Sequence, residues 1–323
     1  MLGYLTRRLV QAVAVLGAMS LVVYVLLGLM PGDPVDLMAS GDPRMTAEDM
    51  QRLRALHGVD RPILERYGAW AGAALQGDLG WSRSSRRPVL EVLAPRLANT
   101  MLLMASALAL ALAIGLPLGI WAAARRDRFA DRAINLACFA GAATPTFWLA
   151  LLLMMLFAVQ LGWLPAGSLP PAGAGPLELL RHMALPVATL ALAEAGVYAR
   201  HMRAAMIDAL GHDYVRTARA KGASERRVLF THALRNAALP VTTMVALGFG
   251  GLFSGALVTE TMFAWPGMGK LIYDSILTSD FNVALVALLF ATLMTLAANL
   301  LADLAYAALD PRISLEGDGR GAP

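Results

Sequence analysis

The sequence predicts an all-helical polytopic membrane protein of six transmembrane spans, on three observations. Apolar residues make up 58% of the chain and charged residues only 15%, too little polar side chain to cover a soluble globule. The apolar residues gather into six runs, 9–30, 98–124, 133–161, 183–205, 237–262 and 283–309, each reaching the roughly 20 residues a helix needs to cross hydrocarbon. None of the runs alternates polar and apolar residues as a barrel strand would, and a span without water must satisfy its own backbone, so these are helices.

The first run follows Arg7 and Arg8, as a signal peptide would, but it exceeds the h-region of about 7–15 residues. It reads as an uncleaved first helix. Orientation comes from Lys and Arg in the connections. One side holds Arg7 and Arg8, four Arg in 125–132, eight Lys/Arg in 200–235, and Arg312 with Arg320, sixteen in all; the short connections of the other side hold only Arg181 and Lys270, while the long segment 31–97 carries nine Lys/Arg against nine Asp/Glu and, at that length, follows the rule poorly. Both termini are therefore expected in the cytoplasm. Cys138 is the single cysteine, inside the third run, without a disulfide partner or metal-ligand spacing, and reads as apolar packing. A net charge of +4 sorted by side in this way gives no reason to expect nucleic acid.

The first 30 residues thus form a cytoplasmic end and span one. Residues 31–97 form an external lobe, 98–309 a membrane core of spans two to six with a cytoplasmic loop at 203–236, and 310–323 a cytoplasmic tail. Within the lobe, Thr46 and Asp49 form a capping box before a helix to about Leu56, ended by Gly58. Asp60 and Pro62 open a second helix to Gln76 that buries Ile63, Leu64, Tyr67, Trp70 and Ala74. Gly77-Asp-Leu-Gly80 breaks it, and a third helix starts at Pro88. The Pro- and Gly-rich stretch 162–181 is an extended outer connection. Gly115-x-x-x-Gly119 and Gly251-x-x-x-Gly255 mark faces where helices approach closely.

The loop between spans four and five carries the strongest signal. Gly211 interrupts the preceding helix and Asp213 is placed as an N-cap. Tyr214 to Lys221 then forms about two turns, and Gly222 supplies a C-terminal stop. Ser224 caps a second helix, 225–236. Tyr214, Val215 and Ala218 share one face, with Arg216, Arg219 and Lys221 mostly on the others. A loop that only fixes topology has no need of such ordered caps.

The string Asp213-Tyr-Val-Arg-Thr-Ala-Arg-Ala-Lys-Gly222, with His232-Ala-Leu-Arg-Asn-Ala-Ala-Leu-Pro240 after it, resembles the cytoplasmic signature of binding-protein-dependent ABC import permeases. More narrowly it resembles the dipeptide/oligopeptide/nickel permease family, of the first permease subunit type. Arg7-Arg8, Pro31-Gly-Asp-Pro34, Gly77-Asp-Leu-Gly80, Thr259-Glu-Thr-Met-Phe-Ala-Trp-Pro-Gly-Met-Gly269 and Asp310-Pro-Arg-Ile313 match the same family. In that superfamily the loop carries Glu-Ala-Ala, then Gly, then Leu-Pro; Arg216-Thr217-Ala218 stand at the first three positions here and Gly222 at the glycine.

The resemblance implies a type I ABC importer permease fold. It also implies a second homologous permease, two ATP-binding subunits and an external solute-binding protein as partners, in the cell inner membrane. ATP-driven coupling would run through Tyr214, Arg216, Thr217, Ala218, Arg219, Lys221 and Gly222. No cofactor is expected in this chain, ATP and Mg belonging to the partner subunits. Dipeptides or oligopeptides are the expected solute, with nickel complexes, glutathione and small glycosides open.

The chain lacks a phosphate-binding loop, a His-Glu-x-x-His pair and a Gly-x-Ser-x-Gly elbow, so it is expected to be a non-enzyme. Glu194, an ionisable group inside span four, either lines the solute path or is a packed, hydrogen-bonded residue. Glu260 and Asp303 read as hydrogen-bonding anchors near span ends. A proton-coupled secondary transporter using Glu194 and Asp303 as relays is the alternative; the lack of inverted repeats argues against it. A structural subunit of a channel is a third reading.

Overall fold

A computed structural model describes residues 2–29, 46, 48–49, 51–52 and 61–309, with backbone only at 2, 5, 243, 246–255, 302 and 305–309. Pro31–Pro34, the helix end at Leu56 with Gly58, Asp60, the packing role of Gly251 and Gly255, and the tail from Asp310 lie outside what is described. The chain divides into two compact units. One comprises Met1–Thr6, Ala98–Lys270 and Met294–Pro323; the other comprises Arg7–Leu97 and Leu271–Leu293.

Helices cover every predicted run. They are α1 (Leu2–Gly28), α2 (Ile63–Leu75), α3 (Val89–Ala124), α4 (Phe129–Ala143), α5 (Thr146–Leu153), α6 (Pro176–Gly211), α7 (Asp213–Ala220), α8 (Leu234–Met262), α9 (Met268–Leu277) and α10 (Phe281–Leu309). By length and composition, α1, α3, α6 and α10 can each cross a membrane, and α4 with α5 makes a fifth crossing if counted together. The remaining predicted run falls on α8, whose 29 residues exceed the required ~20. At 36 residues each, α3 and α6 are longer than a bilayer is thick, since a helix rises about 1.5 Å per residue.

The third run is not one straight span. Between α4 and α5 the axis turns by 103°, because Pro145 follows Thr144 and forces it out of the helical region, to φ −83° and ψ 122°. Thr144 Oγ1 donates to the Ala140 carbonyl at 2.7 Å, satisfying one of the freed end groups. A π-helical stretch, Met154–Gln160, then completes the run.

In the larger unit, α6 packs against α3, α4 and α8. Ala111, Ala191, Ala195 and Tyr198 form one buried layer. Met202, Met206, Ala209, Ala233, Ala237, Val241 and Ala123 form another. The Gly115/Gly119 pair faces α6 as expected: a Cβ at Gly119 would lie 2.5 Å from the Ala199 carbonyl oxygen, and one at Gly115 2.7 Å from that of Ala195.

In the smaller unit, the capping box holds, with Thr46 N–H donating to Asp49 at 3.1 Å and Asp49 N–H to Thr46 Oγ1 at 3.2 Å. Helix α2 begins after Pro62 and half-buries Ile63, Tyr67, Trp70 and Ala74. Leu64 departs from expectation at 65% exposed, since it falls between the buried stripe and the polar face. Tyr24, Tyr67 and Trp70 form an aromatic cluster, beside a small core of Val23, Leu27, Ala284 and Leu285.

Asp280 is a second centre of this unit. Although buried, it accepts from Ser82 Oγ at 2.6 Å, Ser84 Oγ at 2.8 Å and the N–H groups of Ser84 and Arg83. Burial pushes its carboxyl up, but these donors outweigh burial and hold it below the usual carboxylate range. Gly80, in the Gly77–Gly80 motif, sits at φ +79° with Asn282 3.0 Å from where a Cβ would be, so both backbone and space demand glycine.

Candidate functional site

The basic loop folds as a small ordered knob. His212 is extended, with φ −78° and ψ 154°, and separates α6 from α7. Asp213, expected to be the N-cap, is instead the first helical residue, where its charge favours the helix N-terminus. Its carboxylate pairs with Arg216 at 3.3 Å and its carbonyl accepts from Thr217 Oγ1 at 3.0 Å. Both ions are exposed, so the pair adds little stability.

An eight-residue helix is marginal alone, and three features hold this one. Val215 and Ala218 are buried with Val228, and Leu210 and Ala223 pack beside them. Arg219 places Nε and Nη2 on the Glu225 carboxylate at 2.8 and 3.1 Å, a fork that holds Glu225 below the ordinary carboxylate range. Gly222, at φ +79°, closes the helix. The Ala223 N–H reaches the Ala218 carbonyl at 3.1 Å and the Gly222 N–H that of Arg219 at 2.9 Å, a Schellman ending. Nothing among the described residues lies within 4 Å of where a Gly222 Cβ would be. Its backbone conformation, not crowding within the chain, is what requires glycine.

Tyr214 does not join the buried face with Val215 and Ala218. It is 37% exposed and stacks on His212, with ring centroids 5.6 Å apart. Arg216, Thr217, Arg219 and Lys221 are all exposed, so α7 presents an aromatic and basic outer surface on an apolar base.

The predicted second loop helix, 225–236, is not a separate element. One turn, Glu225–Arg227, with Ser224 at its cap position but making no side-chain bond there, runs into a π-helical stretch, Val228–Ala233, and on into α8 through Pro240. No Gly stands between 225 and 240 to halt it, and Pro240 lies inside the helix, as membrane helices accommodate. The knob is therefore continuous with α8 and packed on the end of α6, so a displacement of α7 bears on both helices.

A charge pair that sequence reasoning missed anchors the neighbouring turn. Asp131, 2% exposed, accepts from Arg203 Nε at 2.5 Å and Nη2 at 2.7 Å, from Asn135 Nδ2 at 2.7 Å and from the Asp127 N–H at 2.9 Å. The bidentate fork ties the start of α4 to α6 across 72 residues of sequence.

Glu260 is fully buried and organises the Thr259–Gly269 motif. It accepts from Thr100 Oγ1 at 2.5 Å and from the Lys270 N–H at 3.1 Å, and Thr100 in turn accepts from the Met268 N–H at 2.7 Å. A Cβ at Gly267 would stand 2.1 Å from the Glu260 carboxylate, and one at Gly269 2.5 Å from Leu257 Cα. Trp265, wholly buried, donates Nε1–H to the Asn99 carbonyl at 3.2 Å. The motif's Glu, Trp and glycines thus seat one turn on the start of span two.

Glu194 is half-buried on α6, and no hydrogen bond or ion pair to it is found among the described residues. Four residues on, Tyr198 is buried with its hydroxyl unpartnered. The structure does not bring Glu194 to the knob, which lies at the far end of α6.

Helices long enough to cross a membrane, with a compact basic knob between two of them, define an integral membrane protein. The chain belongs to the family of binding-protein-dependent transport system inner membrane components: its family model matches residues 115–315, and the companion N-terminal model matches 1–104. The chain is 38% identical to the oligopeptide transport system permease protein AppB of Bacillus subtilis over 316 residues, covering 97% of this chain and 99% of that one. It is 39% identical to the glutathione transport system permease protein GsiC of Escherichia coli over 313 residues, with the same coverage.

In fold it is similar to a chain of the inward-facing MetNI methionine ABC transporter, with TM-score 0.57 at 14% identity, over 69% of this chain and 98% of that one. The fold is that of type I ABC importer permeases, and the chain is a multi-pass inner-membrane permease subunit of an ABC importer. The secondary-transporter alternative finds no support in these relatives.

Proposed function

We propose that this permease pairs with a second permease of its family to form the path for a peptide, and that α7 is the contact through which two ATP-binding subunits drive it. An external solute-binding protein delivers cargo to the outer face. The observation that carries this reading is the geometry of α7. Its aromatic and basic residues Tyr214, Arg216, Thr217, Arg219 and Lys221 face outward, while Val215 and Ala218 fix it to α6 and to the π-helical stretch that leads into α8. A short rigid helix set between two spans turns motion of a partner into motion of the spans.

The chain itself is non-catalytic in this reading, and ATP and Mg stay on the partner subunits. Both termini and the knob face the cytoplasm, and residues 31–97 form the external lobe. Peptide as solute is supported by the relatives' own substrates, oligopeptides in AppB and glutathione in GsiC. Glu194, half-buried and unpaired among the described residues, lines the path; a peptide's amino terminus is the group it would meet.

Affinity purification from native membranes in mild detergent, followed by uptake assays on the recovered complex, tests the reading. Recovery of a second permease and two ATPase chains that together import a peptide is expected. Recovery of this chain alone across several detergents, from membranes with intact uptake, would overturn it.

A further inference from the structure

A groove of about 570 Å³ runs along the larger unit, walled by Trp121 and Leu118 of α3, Phe129 and Ile134 of α4 and Leu192 of α6. Its wall residues are all apolar or Gly. Its floor is closed by tight backbone packing, a Cβ at Gly196 falling 2.8 Å from the Cys138 carbonyl oxygen. The groove is therefore a shaped feature and not a gap left by loose side chains.

One end of the groove is cationic. The Arg125 guanidinium lies 5.8 Å from the centre of the Trp121 ring, and Arg128 and Arg132 adjoin the wall residues Phe129 and Ala133. All three arginines are exposed, and no ion pair occupies them among the described residues. The two acids in this turn are already engaged. Asp131 is held by Arg203, and Asp127 lies 3.4 Å from the fourth arginine, Arg126.

We propose that this groove holds an anionic phospholipid, with an acyl chain along its apolar wall and the phosphodiester head against Arg125, Arg128 and Arg132. A groove that is hydrocarbon along its length and cationic at one end has the polarity of one amphiphile. A helix of the second permease would satisfy the apolar wall but leave the arginines without an anion. Within a membrane, apolar contact alone does not favour a groove over surrounding lipid tails, so selection comes from the headgroup. The inference rests on reading the 125–132 turn as lying at the membrane surface, as its arginines require.

The test uses the full complex exchanged into bicelles of equal phosphatidylglycerol and phosphatidylcholine, with retained lipid counted by native mass spectrometry. Phosphatidylglycerol is expected to be retained preferentially by the wild type. Arg125→Gln/Arg128→Gln/Arg132→Gln should weaken this by on the order of a hundredfold, about fivefold per arginine. Ala137→Phe, or Ile134→Trp should the first fail to fold, fills the groove, leaves the arginines in place, and should also remove the preference. Arg226→Gln/Arg227→Gln in the knob should leave it intact.

Retention that survives both groove-filling variants would reduce the effect to bulk charge attraction and overturn the proposal. So would a photo-crosslinker at Ala137 that captures the second permease in place of lipid. Neither result bears on whether the ATPase docks at α7, which the co-purification decides separately.

Discussion

Replacing Gly222 isolates what the end of α7 contributes. At φ +79° with open space where a Cβ would be, the cost of alanine is conformational, roughly 1 kcal/mol, or about a fivefold shift toward a frayed last turn. That turn carries Ala218 and Arg219, one from the buried face and one from the Glu225 fork. Asparagine adopts the left-handed conformation readily and should behave like glycine. Aspartate adopts it too, but sets a carboxylate at a helix C-terminus, adding a further ~0.3–1 kcal/mol. The assay is peptide uptake and ATP hydrolysis by the reconstituted complex in proteoliposomes, normalised to inserted protein. Gly222→Ala and Gly222→Asp should insert normally and hydrolyse ATP while uptake falls severalfold, and Gly222→Asn should stay near wild type. Full solute-stimulated uptake in the alanine and aspartate variants would refute the reasoning. Loss in all three would place the constraint in a docked partner and not in this chain's backbone.

Asp131→Asn should destabilise the protein by about 3 kcal/mol by leaving the Arg203 charge without its buried partner, read as a drop in Tm in detergent. Arg203→Lys should lose less, since lysine keeps the charge but not the fork. Thr100→Val removes both the donor to Glu260 and the acceptor for the Met268 N–H, and should cost about 2 kcal/mol, seen as faster proteolysis within 263–270. Asp280 has a depressed carboxyl, so its contribution is present above the unfolded value of 3.8 and is lost as pH falls through the lower folded value. Protection of the amides at 82–84, that is, hydrogen exchange corrected for its intrinsic pH dependence, should therefore be flat from pH 8 to 5 and fall only below about pH 4.

Hydropathy made most of the helical architecture readable, because spans obey one strict rule: the backbone must satisfy itself without water. Each run became helix. The break at Thr144-Pro145 carried a local signal, a residue barred from the helix by the proline after it, but Pro186 and Pro240 lie inside unbroken helices, so proline alone does not decide. The knob was legible because caps are local chemistry: Gly222 announced a left-handed ending, and it is there. Asp213 falls one residue inside its helix, since a suitable residue near a helix start does not fix which residue precedes the first turn, and Ser224 holds the cap position without a side-chain bond there. Leu64 and Tyr214 were misassigned by faces, where a one-residue offset turns a side chain outward. The Asp131–Arg203 fork and the Ser82–Asp280 bonds join residues 72 and 198 positions apart, and no local pattern in one sequence announces such pairs.

The docking of α7 on an ATPase is tested most directly by placing a photo-crosslinking side chain at Arg216, whose side chain is 78% exposed on the knob. The same group at Leu75, 90% exposed at the end of α2, serves as the comparison in the transport-active complex. The account predicts that position 216 captures the ATP-binding subunit, with a yield that changes on adding ATP, and that position 75 never does. No ATPase adduct at 216 in a complex that still imports peptide, or equal capture at 75, would contradict it.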